Sequence, residues 1–137
     1  LTHTRWDCKY HVVFIPKKRK NRIFGALRKH LGEIFHELAG HKEAKIVEGH
    51  IMADHVHMCI SIPPKYAVSN VMGYIKGKSA ITIARRFGGR VKNFTGEVFW
   101  ARGYFVSTVG LDEEIVRAYI RNQEQEDEGY DQMKLDV

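Results

Sequence analysis

Residues 55–62 (His-Val-His-Met-Cys-Ile-Ser-Ile) alternate without a break between two chemical kinds. In an extended chain successive side chains point to opposite faces, so Val56, Met58, Ile60 and Ile62 share one face, and His55, His57, Cys59 and Ser61 share the other. Such a strand belongs in a sheet with one face buried and one left open.

The rest of the chain supplies the cover. Leu27, Leu31, Ile34, Phe35 and Leu38 recur at steps of three and four, which predicts an amphipathic helix over 26–39 closed by Gly40. Val68, Val71, Met72, Ile75, Ile83 and Phe87 predict a second helix over 67–87, weakened by Gly73 and Gly77 in its interior. Strands are expected over 9–15, which Pro16 ends before the basic turn Lys17-Lys18-Arg19-Lys20, and over 45–52, a hairpin partner for 55–62. Pro63 and Pro64 stop that hairpin. After Gly88 and Gly89, the aromatic and β-branched stretch 97–109 predicts a last strand. A third helix over about 111–126 carries Asp112, Glu113 and Glu114 in its first turn, where the helix dipole favours anions.

The order β-α-β-β-α-β-α implies an α+β fold. It is a ferredoxin-like or RRM-like two-layer βαββαβ sandwich with an added C-terminal helix. At 137 residues it forms a single domain, 1–137, with an acidic tail from about 126. In that fold two helices cover one sheet face, and the free face does the work.

Charge narrows the class of partner. Residues 1–105 hold 19 Lys and Arg against 7 Asp and Glu, whereas residues 106–137 hold 3 against 9. Positive charge gathered in one block suits a polyanion. Lys76, Lys78, Arg85, Arg86, Arg90 and Lys92 are placed to track a phosphate backbone, with Arg102 beside them. Trp100, Tyr104 and Phe105 are candidates to stack on bases, although alternation must turn some of them inward. No apolar run is long enough to span a bilayer, and no signal peptide opens the chain. Cys8 and Cys59 suit a reducing, cytoplasmic setting better than a disulfide framework. Because the first residue is Leu1, the numbering is expected to begin inside a trimmed terminus.

Two groupings carry chemistry. His55 and His57 lie on one strand face roughly 7 Å apart, close enough to converge on one cation; the alternative is two imidazoles facing solvent. Tyr119 and Gln123 share a helix face four residues apart, with Asn122 adjacent. Gln123 offers a neutral oxygen ligand. Tyr119 is either a nucleophile assisted by a cation or the end of the apolar stripe Leu111, Ile115, Val116, Tyr119 and Ile120. That stripe is extra to a sandwich already covered by two helices, so it is expected to pack against a second subunit and leave the histidines open, as a homodimer would.

Together these motifs resemble the IS200/IS605 family of single-strand transposases. His55-Val56-His57 resembles the His-hydrophobic-His motif of single-strand-processing nucleases, and Tyr119-Ile-Arg-Asn-Gln123 resembles their tyrosine helix. Phe99-Trp-Ala-Arg-Gly-Tyr-Phe-Val-Ser-Thr-Val-Gly110, Tyr10-His-Val-Val-Phe14 and Tyr74-Ile-Lys-Gly-Lys-Ser79 are similar to the family's preceding strand, first strand and second helix. The resemblance implies a prokaryotic homodimer that binds hairpins at transposon ends and cuts single-stranded DNA. Tyr119 would form a 5′-phosphotyrosine, His55, His57 and Gln123 would hold Mg²⁺ or Mn²⁺, and the tyrosine helix could serve the partner's histidines. No nucleotide cofactor and no membrane are implied. Three other readings share parts of this pattern: a non-catalytic RRM-like binder of single strands, a metal phosphodiesterase using water, and a domesticated relative with the same chemistry.

Overall fold

The structure is a computed structural model that describes residues 4–17, 23, 25–87, 99–108 and 112–135; at 124 and 126–135 it describes the backbone alone. Seven elements follow in order: β1 (Lys9–Phe14), α1 (Gly25–His41), β2 (Lys45–Ile51), β3 (Val56–Ser61), α2 (Val68–Phe87), β4 (Phe105–Ser107) and α3 (Glu113–Leu135). The strands form one antiparallel sheet in the order β2-β3-β1-β4, the expected sandwich topology.

Alternation sorts the strands as the sequence implies. Val12 and Phe14 of β1, and Val56, Met58 and Ile60 of β3, are buried in the layer under α1 and α2. Leu31, Ile34, Phe35 and Leu38 of α1 meet them there, with Val71, Met72, Ile75 and Ile83 of α2. The α2 helix runs unbroken through Gly73 and Gly77, since its buried stripe outweighs the roughly 1 kcal/mol that each glycine costs. The α1 helix ends one residue past Gly40, and the left-handed residue closing it is Glu43 (φ 56°), with the Ala44 amide donating to the Ala39 carbonyl.

Three expectations change. Of the strand expected over 97–109, the described residues 99–108 keep only Phe105–Ser107, plus a bridge pairing Trp100 with Pro16; 97, 98 and 109 lie outside the described residues. Gly103 is left-handed (φ 74°), and the intervening carbonyls turn away from the sheet toward a lysine, which breaks the ladder. The third helix continues past 126 to Leu135. Its tail includes Glu126, Glu128, Gln132, Met133, Lys134 and Leu135, residue types of good helix propensity that offset Gly129 and two aspartates.

The third change concerns what α3 packs against. Ile120 is buried on the chain's own open sheet face with Val13, Ile15 and Ala101, and Val116, Tyr119 and Phe105 pack around them. The stripe expected to need a second subunit is therefore largely satisfied within one chain. Ile115 is turned outward and 53% exposed, and Leu111 lies outside the described residues.

Candidate active site

The open face centres on His57. Antiparallel register sets it directly opposite Val13 of β1 on one side and His50 of β2 on the other, with His11 one diagonal step away. His11 Nδ1 lies 3.4 Å from His57 Nε2, and the His57 ring centroid is 5.7 Å from those of both His11 and His50. Burial pulls the His57 pKa below its ordinary 6.5, and the neighbouring His11, His50 and His55 push the same way against Glu48. The shift favours the neutral imidazole, the form that ligates metal.

His55 is fixed differently. Its Nδ1–H donates to the Asp54 carboxylate at 2.8 Å, leaving Nε2 as the free ligand atom. Carboxylates commonly hold metal-binding histidines in this way. On the same face, His50 Nε2–H donates to Glu48 at 3.0 Å.

A cavity of about 530 Å³ opens between these imidazoles and α3, with His50, His55 and His57 on one wall and Glu113, Arg117 and Ile120 on the other. Tyr119 and Gln123 are not among its lining residues. The Tyr119 ring packs 5.8 Å from that of Phe105 with its hydroxyl withdrawn from solvent. Gln123 Nε2–H donates to the Arg102 carbonyl. Within one chain the fold thus pairs His55 with His57, and seats Tyr119 and Gln123 on the segment around 102–105. It does not bring the two pairs together. Among the described residues no three His, Cys, Asp or Glu side chains already surround one point. The donors nevertheless fit a divalent cation: two oriented imidazoles, and a glutamine whose nitrogen is spent on a carbonyl so that its oxygen is left to coordinate.

The expected nucleic-acid residues separate. Lys78, Arg85 and Arg86 are exposed on α2, in the helix layer across the sheet from the histidines, and Arg102 is exposed near Gln123. Arg90 and Lys92 lie outside the described residues. Two assignments need correction. Trp100 is 5% exposed, packs edge-on against Phe14 at 4.8 Å and donates its Nε1–H to Ser79 at 2.9 Å, so its ring has no face for a base. Lys76 is turned inward, where its ammonium donates to the carbonyls of Ala101 (2.8 Å) and Gly103 (2.5 Å), and burial draws its pKa down to about 8. Tyr104 and Phe105 are half-buried and pack against the two cores.

Sequence reasoning missed His11, His50, Asp54 and Arg117. The signal for His11 was present: it shares the parity of Val13, opposite to Tyr10, Val12 and Phe14, and so belongs on the histidine face once β1 pairs with β3.

Comparison with known proteins converges on one family. A profile described as "Transposase IS200 like" matches residues 4–123. The transposase for insertion sequence element IS200 of Salmonella typhimurium is 42% identical over 98% of this chain and 89% of its own length. The ISDra2 transposase TnpA of Deinococcus radiodurans is 24% identical over 86% of this chain and 85% of its own. Two solved structures share the fold. A Deinococcus radiodurans chain described as a transposase superposes with TM-score 0.78 at 23% identity, covering 88% of this chain and 94% of that one. A REP-associated tyrosine transposase bound to a REP hairpin superposes with TM-score 0.55 at 11% identity, covering 86% and 67%. Among the described residues no helix is long and apolar enough to cross a membrane. With its profile match over most of the chain and a 42%-identical relative spanning nearly all of it, this chain belongs to the IS200-like transposase family.

Proposed function

We propose that this chain is a metal-dependent DNA transposase that binds hairpins at transposon ends and cuts and rejoins single-stranded DNA through Tyr119. The observation that carries the reading is the His55–His57 pair on the open face, with His55 oriented by Asp54 and His57 half-buried beside a nucleotide-sized cavity.

The Tyr119 oxygen attacks the scissile phosphorus and loses its proton. The bond from phosphorus to the 3′ oxygen breaks, and that oxygen leaves as a free 3′-OH once protonated. The 5′ end stays on the tyrosine, and a second 3′-OH reverses the step with no nucleotide cofactor. His55, His57 and the Gln123 oxygen would hold Mg²⁺ or Mn²⁺, which when bound polarises the phosphate and offsets charge on both oxygens.

One chain holds Tyr119 beside Phe105 rather than in the histidine cavity. A homodimer in which α3 reaches the partner's histidines completes the site. The 53% exposure of Ile115 supports a partner contact on the outer flank of that helix. Hairpin binding falls to the α2 cations Lys78, Arg85 and Arg86, across the sheet from the cut strand. The hairpin-bound tyrosine transposase of the same fold supports that partner. The setting is nucleoid DNA in a prokaryotic cytoplasm.

The test is covalent capture. Single-stranded DNA carrying an end hairpin, with Mn²⁺, should give an SDS-resistant adduct that Tyr119→Phe abolishes while hairpin affinity is retained. An undiminished adduct in that variant removes Tyr119 from the mechanism. For trans assembly, coexpressed Tyr119→Phe and His57→Ala chains should form a mixed dimer whose adduct sits on the His57→Ala chain. An inactive mixed dimer, or a chain that stays monomeric at micromolar concentration, places the site within one subunit.

A further inference from the structure

Segment 100–103 is gripped at four consecutive residues by side chains from two helices. From α2, Ser79 accepts the Trp100 indole N–H, and Lys76, three residues earlier on the same helix face, donates to the carbonyls of Ala101 and Gly103. From α3, Gln123 donates to the carbonyl between them, that of Arg102. Ser79 is fully buried, and the Lys76 ammonium lies 5.9 Å from the centre of the Phe14 ring. A lysine held there has given up most of its water, and burial lowers its pKa to about 8, so the two carbonyl bonds are what hold the ammonium in place. Gly103, with φ 74°, lets the chain turn so that carbonyls 101 and 103 face α2 while carbonyl 102 faces α3.

We infer that Lys76 is a positioning residue for DNA cleavage: by fixing carbonyls 101 and 103 it aims carbonyl 102 at Gln123 and so sets where the Tyr119–Gln123 face of α3 sits. This rests on the proposed role of Gln123 and Tyr119. It removes Lys76 from the phosphate-tracking set and ties it to the reaction from across the sheet.

Lys76→Met keeps the apolar stem over Phe14 and deletes both donors. The expected result has three parts. Hairpin affinity stays within about twofold, with the same salt dependence. The cleavage kcat falls about tenfold or more with KM little changed. Amide exchange speeds up in 100–104 and in the first turns of α3. Lys76→Arg, which keeps charge and donors, should recover most of the rate. Weaker hairpin binding, with the salt slope reduced by about one, would make Lys76 a phosphate contact and overturn the inference. Unchanged kcat and exchange would overturn it as well. If Lys76→Met does not fold, Lys76→Gln is read the same way. The exchange arm needs no DNA. A wild-type chain that forms no adduct therefore rejects the proposed function, while unchanged exchange in the variant rejects the brace.

Discussion

The two faces of one sheet do opposite work in this molecule. Under α1 and α2, Val12, Phe14, Met58 and Ile60 are at most 1% exposed and close-packed with two helices. On the other face the intervening residues His11, His57 and Cys59 are half-buried, beside a small cluster of Val13, Ile15, Ala101 and Ile120 and an open cavity. The same strands supply both, one residue apart. Substitutions on the covered face should therefore be read in stability, and those on the open face in chemistry.

The sharpest separation should come from paired substitutions on β3 and β1. His57→Ala is expected to lower cleavage by at least two orders of magnitude with under about 1 kcal/mol lost in urea unfolding, since the ring is only half-buried and its bonds are replaceable by water. Phe14→Ala should do the reverse through instability, costing about 3–5 kcal/mol by emptying the space between Phe35 and Trp100. If His57→Ala unfolds the protein, the division between faces is wrong.

Ile120→Ala tests the seam between the two regions. It should cost about 2 kcal/mol, less than Phe14→Ala, because the second cluster is small and bordered by the cavity. A loss near zero would mean that α3 is not seated on its own sheet in solution.

Mild acidification, in the range where histidines titrate, should act through the open face. The folded His57 pKa lies below 6.5, so between that value and 6.5 the unfolded chain binds more protons than the folded one. Stability therefore declines as pH falls from about 6.5 through the folded pKa, and is unaffected by His57 above it. His57→Gln should flatten that part of a pH–stability profile. The same decline in the variant would assign the effect to another group.

The smallest effect belongs to the covered layer's outer surface. Gly73 sits mid-helix in α2 with open space where a Cβ would go, so Gly73→Ala should add about 0.5–1 kcal/mol and leave cleavage unchanged. A loss of stability would mean that this helix face is occupied.

What the sequence made legible follows the same division. The covered face was readable because burial imposes a period: 2 along β1 and β3, 3.6 along α1 and α2. His55 and His57 were readable as the complement of that period. His50 was hidden by the bulge between Ile46 and Glu48, which shifts the parity of β2 relative to β3. Segment 99–104 was misread for another reason. Its aromatic residues Phe99, Trp100 and Tyr104 favour a strand, yet a buried lysine on a distant helix takes its carbonyls, a tertiary choice with no local signature. Trp100 and Lys76 went wrong together there, because the indole and the ammonium are both drawn into the same brace. The seat of α3 differs because a helix on the free face was expected to cover the histidines, whereas Val13 and Ile15 make one side of that face a second core and a cavity remains beside the imidazoles.

The open face and the tyrosine helix should perform one reaction. The direct measurement is mass-spectrometric mapping of the residue that carries DNA after incubation with an end hairpin on a single strand and Mn²⁺. The expected result is a nucleotide joined through its 5′-phosphate to the peptide containing Tyr119, absent with EDTA and absent in the His55→Ala and His57→Ala homodimers. Nucleotide on any other residue, or an adduct at Tyr119 that persists without the histidines, would contradict it.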